Sequence, residues 1–223
     1  MPEDRALVTG FAPYGGRGRN PSSEIAAGLD GRTVAGMRVV GRQLPVSLAE
    51  IGSVLTGLIE ELDPRVVISL GLWPGAPLIR IERVALNLAD FEIADNVGRL
   101  ASDEPILGNG ATAIYATLPM RKIERRLLET GIPARISNTA GTFLCNACLY
   151  SLISVAAASP RPALCGFMHV PYLPEQVALL LQEMKTEARM ELHQRGDLAS
   201  MELKVSTRAV ELALEASIDE LGR

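Results

Sequence analysis

The chain has 223 residues, of which 48% are hydrophobic and 22% are charged. This length and composition suit one globular α/β domain, so we predict a single domain over residues 1–223. The formal net charge of -4 provides no positive field for a nucleic acid, and no run of lysines and arginines overrides that average. We therefore expect no nucleic-acid partner.

The N-terminal segment and the cysteine count indicate the compartment. Residues 1–10, MPEDRALVTG, are charged at first and then strand-like, without the apolar region of a signal peptide. No apolar stretch approaches the ~18 to 20 residues that span a bilayer. The three cysteines are an odd number, which argues against a secreted disulfide framework. We expect a cytoplasmic protein with free thiols and no membrane partner.

Short β-branched runs alternate along the chain with longer amphipathic ones. The predicted buried strands are Arg5–Gly10, Met37–Leu44, Val66–Gly71, Ala134–Asn138 and Ala163–Val170. The predicted helices are Ser47–Leu62, Pro119–Glu129, Phe143–Ala157, Pro174–His193 and Leu203–Leu221. This order predicts an α/β fold with a mostly parallel sheet covered on both faces, and functional groups beyond the carboxyl ends of its strands.

Three local patterns add detail to this prediction. Ser47 is a plausible N-cap for the first long helix, with Glu50 as its capping-box partner. Leu78–Leu88, LIRIERVALNL, is typical of an additional long strand or a bent ribbon. Residues 89–109 form a polar stretch with little periodicity, and a loop of that length in a compact domain is often functional.

Two cysteines three positions apart stand in the segment SNTAGTFLCNACLYSL, Ser137–Leu152. Cys145 follows a predicted strand and begins a predicted helix, whose N-terminal partial positive charge would stabilise a thiolate. Cys148 lies nearly one turn further in, and we expect it, like Cys165, to pack in the core. Two alternatives stay open. One is a thioredoxin-like redox pair of Cys145 and Cys148. The other is a zinc site, whose further ligands could only be Cys165 and two histidines.

A nucleophilic cysteine needs a base and an orienting acid. His193 lies in a polar helical end, where we expect it to be solvated. His169 ends the apolar run ALCGFMHV, so we expect it at the same sheet edge as Cys145; the alternative is a structural histidine. Glu82 is the candidate acid, since a carboxylate inside LIRIERVALNL is otherwise hard to bury. The alternative for Glu82 is an ion pair with a neighbouring arginine on an exposed strand face.

Five sequence blocks, in order along nearly the whole chain, resemble one known family. They are TGFAPYGG with NPSS, ERVALN, DNVG followed by DEPI, SNTAGTFLCN, and GFMHVPYLPEQ. Together they resemble pyroglutamyl peptidase I, the cysteine-type pyrrolidone-carboxylate peptidases. The resemblance implies a cytosolic three-layer α/β/α sandwich with a mixed, mostly parallel sheet, usually a homotetramer, that removes an N-terminal pyroglutamyl residue without a cofactor or a metal. It also implies a catalytic triad of Cys145, His169 and Glu82.

The same resemblance assigns residues that bind the substrate, a small peptide with a flat lactam ring. Phe11 and Tyr14 occupy the aromatic positions that sandwich the lactam, Tyr14 in place of a phenylalanine, and Phe143 in the SNTAGTFLCN block is assigned to the same pocket. Asn20 matches an asparagine that helps to bind the lactam. From the residues alone, Phe11 and Tyr14 could be core aromatics at a glycine turn, and Asn20 could cap a helix that begins near Pro21.

Two positions depart from the family pattern. Residues 71–77 read GLWPGAP, so Leu72 stands where members carry a glutamine whose amide recognises the lactam. Glu92, in DFEIADN, stands where an arginine is common. Because a site built to bond a lactam discriminates through its paired polar groups, losing one would relax or redirect specificity. Two alternatives to the peptidase therefore stay open: a related cysteine amidase for other lactams or N-acyl amides, and a non-catalytic lactam-binding protein.

Overall fold

The structure is a computed structural model, and it describes residues 4–186 and 199–222. The strands are β1 (Arg5–Phe11), β2 (Thr33–Val34), β3 (Met37–Leu44), β4 (Val66–Leu72), β5 (Ile79–Glu82), β6 (Val84–Leu86), β7 (Ala113–Tyr115), β8 (Ala134–Ser137) and β9 (Leu164–Val170). The helices are α1 (Pro21–Leu29), α2 (Leu48–Leu62), α3 (Met120–Glu129), α4 (Leu144–Ala158), α5 (Pro174–Thr186) and α6 (Leu203–Leu221).

A seven-stranded sheet in the order β2-β3-β1-β4-β9-β5-β8 forms the centre of the fold. Strands β3, β1, β4 and β9 pair in parallel, as do β5 and β8, whereas β5 runs antiparallel to β9 and β2 antiparallel to β3. Helices α1, α3 and α6 pack on one face, and α2 and α4 pack on the other. The predicted α/β/α sandwich with a mixed, mostly parallel sheet is confirmed.

The central strands bury both of their faces, which explains their continuous apolar sequences. In β1, Ala6 and Val8 belong to the core under α1 and α6, while Leu7 and Phe11 belong to the core under α2 and α4. Alternate side chains of a strand point to opposite faces, so a strand covered by helices on both sides cannot show a polar face.

Most predicted elements are confirmed to within a residue or two at their ends. Of the two alternatives for Leu78–Leu88, a long strand and a bent ribbon, the structure shows the bent ribbon. Its first half is β5 in the main sheet, and its second half is β6, which pairs with β7 in a separate two-stranded sheet. The helix predicted over Pro174–His193 is α5 as far as Thr186, and His193 lies outside the described residues. No helix within residues 4–186 and 199–222 combines the length and apolar character needed to cross a bilayer.

The capping box predicted for α2 is wrong. Ser47 is the N-cap residue, but its buried hydroxyl makes no hydrogen bond with the described part of the chain. Instead the carboxylate of Asp95, from the long loop, accepts a hydrogen bond from the Leu48 backbone N–H at 3.0 Å. Asp95 also accepts from the backbone N–H groups of Val97 and Arg99, at 3.1 and 2.9 Å. The loop over residues 89–109 is thus anchored to the first turn of α2.

We expect Asp95→Ala to lower the free energy of unfolding by about 1 to 2 kcal/mol, because it removes the cap of α2 and leaves backbone donors unpaired. Burial raises the pKa of Asp95, but its bonds from Leu48, Arg99 and Val97 outweigh burial and hold that pKa below its ordinary value. A depressed folded-state pKa contributes stability above the unfolded pKa, and this is lost as the pH falls through the folded value. Urea unfolding at neutral and acidic pH measures both effects.

Ser47→Ala is the matched control, since the Ser47 hydroxyl makes no cap bond. We expect it to leave the urea midpoint nearly unchanged. A loss in Ser47→Ala equal to that in Asp95→Ala would contradict the assignment of Asp95 as the cap.

Candidate active site

Cys145 and His169 lie at one edge of the sheet, as expected. We expected this because the strands that precede them would end at the same edge, and that reason is wrong. Strand β8 is parallel to β5 and β5 is antiparallel to β9, so β8 and β9 run in opposite directions. Their carboxyl ends therefore point to opposite edges, and the predicted common strand direction is wrong. Residues 138–143 turn the chain back, and α4 then begins at Leu144 beside the carboxyl ends of β4 and β9.

A glycine in β4 allows Cys145 to reach this edge. Gly71 is the register partner of His169, and a Cβ atom at Gly71 would lie only 2.7 Å from Cys145 Sγ and 2.8 Å from the Phe167 ring. Any larger residue at position 71 would displace the thiol. Cys145 is partly exposed, whereas Cys148 and Cys165 are buried.

His169 and Glu82 form a buried pair. His169 Nδ1 lies 2.8 Å from Glu82 Oε1, and the two residues are 1% and 0% exposed. Because the carboxylate can only accept, Nδ1 carries the proton and Nε2 is left free. Burial lowers the pKa of His169, and the bond to Glu82 opposes this only in part. Burial opposes ionisation of Glu82, but the hydrogen bonds from His169 and Arg80 hold the pKa of Glu82 below its ordinary value.

Arg80 is the residue of this cluster that sequence reasoning did not name. It lies two positions before Glu82 on the same face of β5, and its Nε donates to Glu82 Oε1 at 3.0 Å. Its Nη2 donates to Ser137 Oγ at 2.8 Å and to the Thr139 carbonyl at 2.9 Å. The predicted alternatives for Glu82 were a bond to histidine and an arginine ion pair, and both occur on one oxygen. The exposed strand face expected for the ion pair is wrong, since Glu82 is buried.

An aromatic cavity of about 360 Å³ opens above Cys145 and His169. The volume lies in the range of sites for small ligands, roughly 300 to 1,000 Å³. It is lined by Phe11, Tyr14, Asn20, Val46, Leu72, Trp73, Pro74, Asp90, Glu92, Ile93, Ala140, Gly141, Thr142, Phe143, Leu144, Cys145 and His169. All of the residues that the sequence assigned to substrate binding line this cavity.

Within the cavity, the candidate binding residues differ in what they can still bind. The rings of Tyr14 and Phe143 are tilted by 39° with 6.1 Å between centroids, and the rings of Phe11 and Phe167 pack with 6.4 Å between centroids. Asn20 is the N-cap of α1: its Oδ1 accepts from the Ser22 backbone N–H, and its Nδ2 donates to the Ala12 carbonyl. The capping alternative for Asn20 therefore occurs, in a residue that also lines the cavity.

Comparison with known proteins agrees with this geometry. The sequence profile of the pyroglutamyl peptidase family matches residues 4–220. The chain belongs to the pyroglutamyl peptidase family. It is therefore a peptidase of the cysteine-dependent omega class.

Similar proteins cover nearly the whole chain. The pyrrolidone-carboxylate peptidase of Pyrococcus furiosus is 42% identical over 211 residues, which are 95% of this chain and 98% of the relative. That of Chromobacterium violaceum is 47% identical over 173 residues, 76% of this chain and 79% of the relative. The solved structure of the Thermococcus litoralis pyrrolidone carboxyl peptidase superposes with a TM-score of 0.89 at 38% identity, covering 98% of this chain and 95% of that one.

The thiol chemistry of this family member differs from the sequence prediction. Cys145 stands at the N-terminus of α4, as expected, but burial raises the pKa of its thiol, and the neighbouring Cys148 and Glu82 raise it further. The contact with its own backbone N–H opposes these effects only in part. The surroundings of the site thus favour the neutral forms of the thiol and the imidazole and the ionised form of Glu82.

Cys148 is a poor partner for a redox pair with Cys145. Its side chain is 0% exposed in the core between α4 and the sheet. Burial raises the pKa of the Cys148 thiol to about 12, so little thiolate forms at neutral pH. The described part of the chain contains no group of three or more His, Cys, Asp or Glu side chains arranged to hold a metal ion.

We expect iodoacetamide to alkylate Cys145 alone in the folded peptidase, at a rate that still rises above about pH 9, because burial raises the pKa of this thiol. Mass spectrometry of the modified protein over a pH series measures this rate. A rate that is constant between about pH 5 and 8 would instead indicate a thiolate paired with imidazolium. The control is Cys145→Ser, in which the buried Cys148 and Cys165 should stay unmodified until the protein is denatured.

Proposed function

We propose that this chain hydrolyses the amide bond after an N-terminal pyroglutamyl residue, with Cys145 as nucleophile, His169 as base and acid, and Glu82 as the group that orients His169. The observation that carries the proposal is the buried His169–Glu82 bond of 2.8 Å beneath an aromatic cavity that also contains Cys145. Membership of the pyroglutamyl peptidase family supports the same reaction.

Acylation begins from the neutral pair. His169 Nε2 accepts the Cys145 thiol proton as Sγ attacks the pyroglutamyl carbonyl, so the thiolate, which this site disfavours, forms only as its bond to carbon forms. The imidazolium is stabilised by the ionised Glu82 carboxylate. When the tetrahedral intermediate collapses, Nε2 protonates the departing amine, the C–N bond breaks, and a thioester remains on Cys145.

Deacylation reverses the role of His169. Nε2 accepts a proton from water as the water oxygen attacks the thioester carbonyl. Collapse of the second intermediate breaks the C–S bond and returns the proton to Cys145 Sγ. Free pyroglutamate leaves, and the thiol and the neutral imidazole are restored.

The first turn of α4 is the best source of donors for the oxyanion. Cys145 is the second residue of α4, so its backbone N–H is one of the donors at the N-terminus of that helix. The first backbone N–H groups of a helix have no partner within the helix, and the helix dipole favours negative charge there. Preorganised donors of this kind stabilise the charge that develops during attack.

The aromatic walls suit a flat lactam ring. Phe11, Tyr14 and Phe143 all line the cavity, and the centroids of the Tyr14 and Phe143 rings lie 6.1 Å apart. Leu72 supplies no side-chain amide, and the amide of Asn20 already makes its capping bonds. The lactam would therefore be held mainly by contacts with the aromatic rings. Hydrogen bonds would come from backbone groups and from the Tyr14 hydroxyl.

Four further expectations from the sequence belong to this proposal. We propose that residues 1–223 form a single domain, that the reaction needs no cofactor, that the protein is cytoplasmic, and that it is a homotetramer. The match of the family profile over residues 4–220 supports the first of these.

The test is hydrolysis of a fluorogenic pyroglutamyl amide by the wild type and four purified variants. We expect Cys145→Ser and His169→Ala to lose roughly 10³-fold or more in kcat/KM, and Glu82→Gln to lose roughly 10²-fold or more, because each removes part of one catalytic unit. Cys148→Ala is the control for loss of a thiol and should retain turnover. Full activity of Cys145→Ser would refute the proposal.

The mouth of the cavity favours a particular class of peptide. Asp90 and Glu92 are exposed at the rim, and no lysine or arginine is among the residues that line the cavity. The negative field would attract a peptide with a positive residue after the pyroglutamyl group. Because Glu92 stands where the family commonly has an arginine, the alternative of an amidase with altered specificity also stays open.

We expect kcat/KM to be higher for pyroglutamyl-lysine amides than for pyroglutamyl-glutamate amides. Glu92→Gln should reduce that preference by about 2- to 5-fold at low ionic strength, and added salt should reduce it in the same direction. Peptide competition assays at two salt concentrations measure the ratio. Equal ratios in the wild type and Glu92→Gln would mean that Glu92 takes no part in specificity.

A further inference from the structure

A buried arginine lies on the far side of the acid that orients the proposed base. Arg80 is 9% exposed and is the direct cross-strand partner of His169 in the β5–β9 register. Its Nε donates to Glu82 Oε1, the same oxygen that accepts from His169 Nδ1. The other carboxylate oxygen, Oε2, is buried and accepts no hydrogen bond from the part of the chain that the structure describes. One oxygen therefore carries both contacts.

The guanidinium of Arg80 is held in place from two directions. Nη2 is tied to Ser137 Oγ and to the Thr139 carbonyl, at the start of the segment that returns the chain to Cys145. The Trp73 ring covers the guanidinium, with 3.9 Å between Arg80 Cζ and the ring centroid. Contact of this kind between a cation and an indole face is favourable, and more so when water is excluded.

Trp73 also contacts the proposed base. Its ring meets the His169 imidazole edge-on, with 4.9 Å between centroids and 79° between planes. Trp73 lines the cavity and separates Arg80 from it, since Arg80 is not among the lining residues. The indole thus lies between the substrate space and the buried charges, and it touches both Arg80 and His169.

We propose that Arg80, covered by Trp73, is a positioning residue that aims Glu82 at His169 and keeps the Glu82–His169 pair free of an additional proton at neutral pH. This inference rests on the proposed function. Among the described residues, Glu82 and Arg80 from β5 act on the charge of His169, and the titratable Cys145 from α4 lines the same cavity as His169. Of these, Arg80 alone is a fixed cation, and it opposes a second positive charge on the imidazole.

Removal of Arg80 should change the pH dependence of the reaction, not only its rate. Without the guanidinium, the Glu82–His169 pair takes up a proton at higher pH, whichever of the two groups receives it. The base is then occupied over a wider acidic range. Loss of the fork that ties Nε and Nη2 to their acceptors should also misalign Glu82 at every pH.

The experiment compares Arg80→Met, Arg80→Lys and Trp73→Leu with the wild type, using kcat and KM for a pyroglutamyl amide across a pH series. For Arg80→Met we expect a loss of kcat/KM at least about 3-fold larger near pH 6 than near pH 8.

Arg80→Lys keeps the charge but not the planar fork, so it should lose kcat more evenly over the series. Trp73→Leu should move the acidic limb in the same direction as Arg80→Met, because water then reaches the guanidinium. Arg83→Met is the matched control, since Arg83 follows on the same ribbon and, among the described residues, its hydrogen bonds are made by its backbone: its N–H donates to the Ser137 carbonyl, and its carbonyl accepts from the Ala116 N–H.

A second readout needs no turnover. The chain has two histidines, so histidine NMR resolves the His169 titration once His193→Gln has assigned the other signal. Arg80→Met should move that titration to higher pH, and Arg83→Met should not.

An unchanged His169 titration, or a loss of rate that is uniform with pH in Arg80→Met, would overturn the proposal. If Arg80→Met does not fold, Arg80→Lys and Trp73→Leu decide it by the same criteria. Absence of hydrolysis by the wild type would refute the proposed function, while the NMR titration would still test this inference.

Discussion

One buried carboxylate oxygen, Oε1 of Glu82, is the contact on which the candidate site depends. It accepts from His169 on β9 and from Arg80 on β5, so it joins two strands and balances the charge between them. A buried ion pair is costly to break. Loss of one partner leaves an uncompensated charge, which destabilises the folded state by about 3 to 5 kcal/mol. The same constraint that stabilises these strands therefore holds the imidazole in one orientation and one tautomer.

The reversed direction of β5 makes this arrangement possible. Because β5 is antiparallel to β9, Arg80 lies directly opposite His169 and Glu82 lies opposite Phe167, with both charged side chains on the face of the imidazole. The parallel partner β8 then also runs away from the site, and residues 138–143 must bring the chain back to Cys145. Arg80 bonds to that returning segment at Thr139, so the strand reversal and the position of the thiol are coupled.

The mouth of the cavity is tied to the core by a different carboxylate. Asp95 caps α2 and accepts from the backbone of its own loop, three residues after Glu92. A loop with little regular structure is in this way given a defined position over the cavity. The exposed charge of Glu92 can then act on a substrate from a fixed place, which a freely moving loop would not allow.

Much of this protein could be predicted from local pattern. The apolar runs and helical stripes identified the main strands and helices, because burial on one or both faces dictates period and composition. The grouping of Cys145, His169 and Glu82 at one site, and the aromatic lining of its cavity, were also expected from residue type and from the resemblance to the family. Local pattern could not reveal the direction of β5, because an apolar run reads the same in either orientation. It also could not reveal the cap from Asp95, the partnership of Arg80 with Trp73, or the raised pKa of Cys145. Each of these depends on which groups from distant parts of the chain exclude water from one another, and only the folded packing decides that.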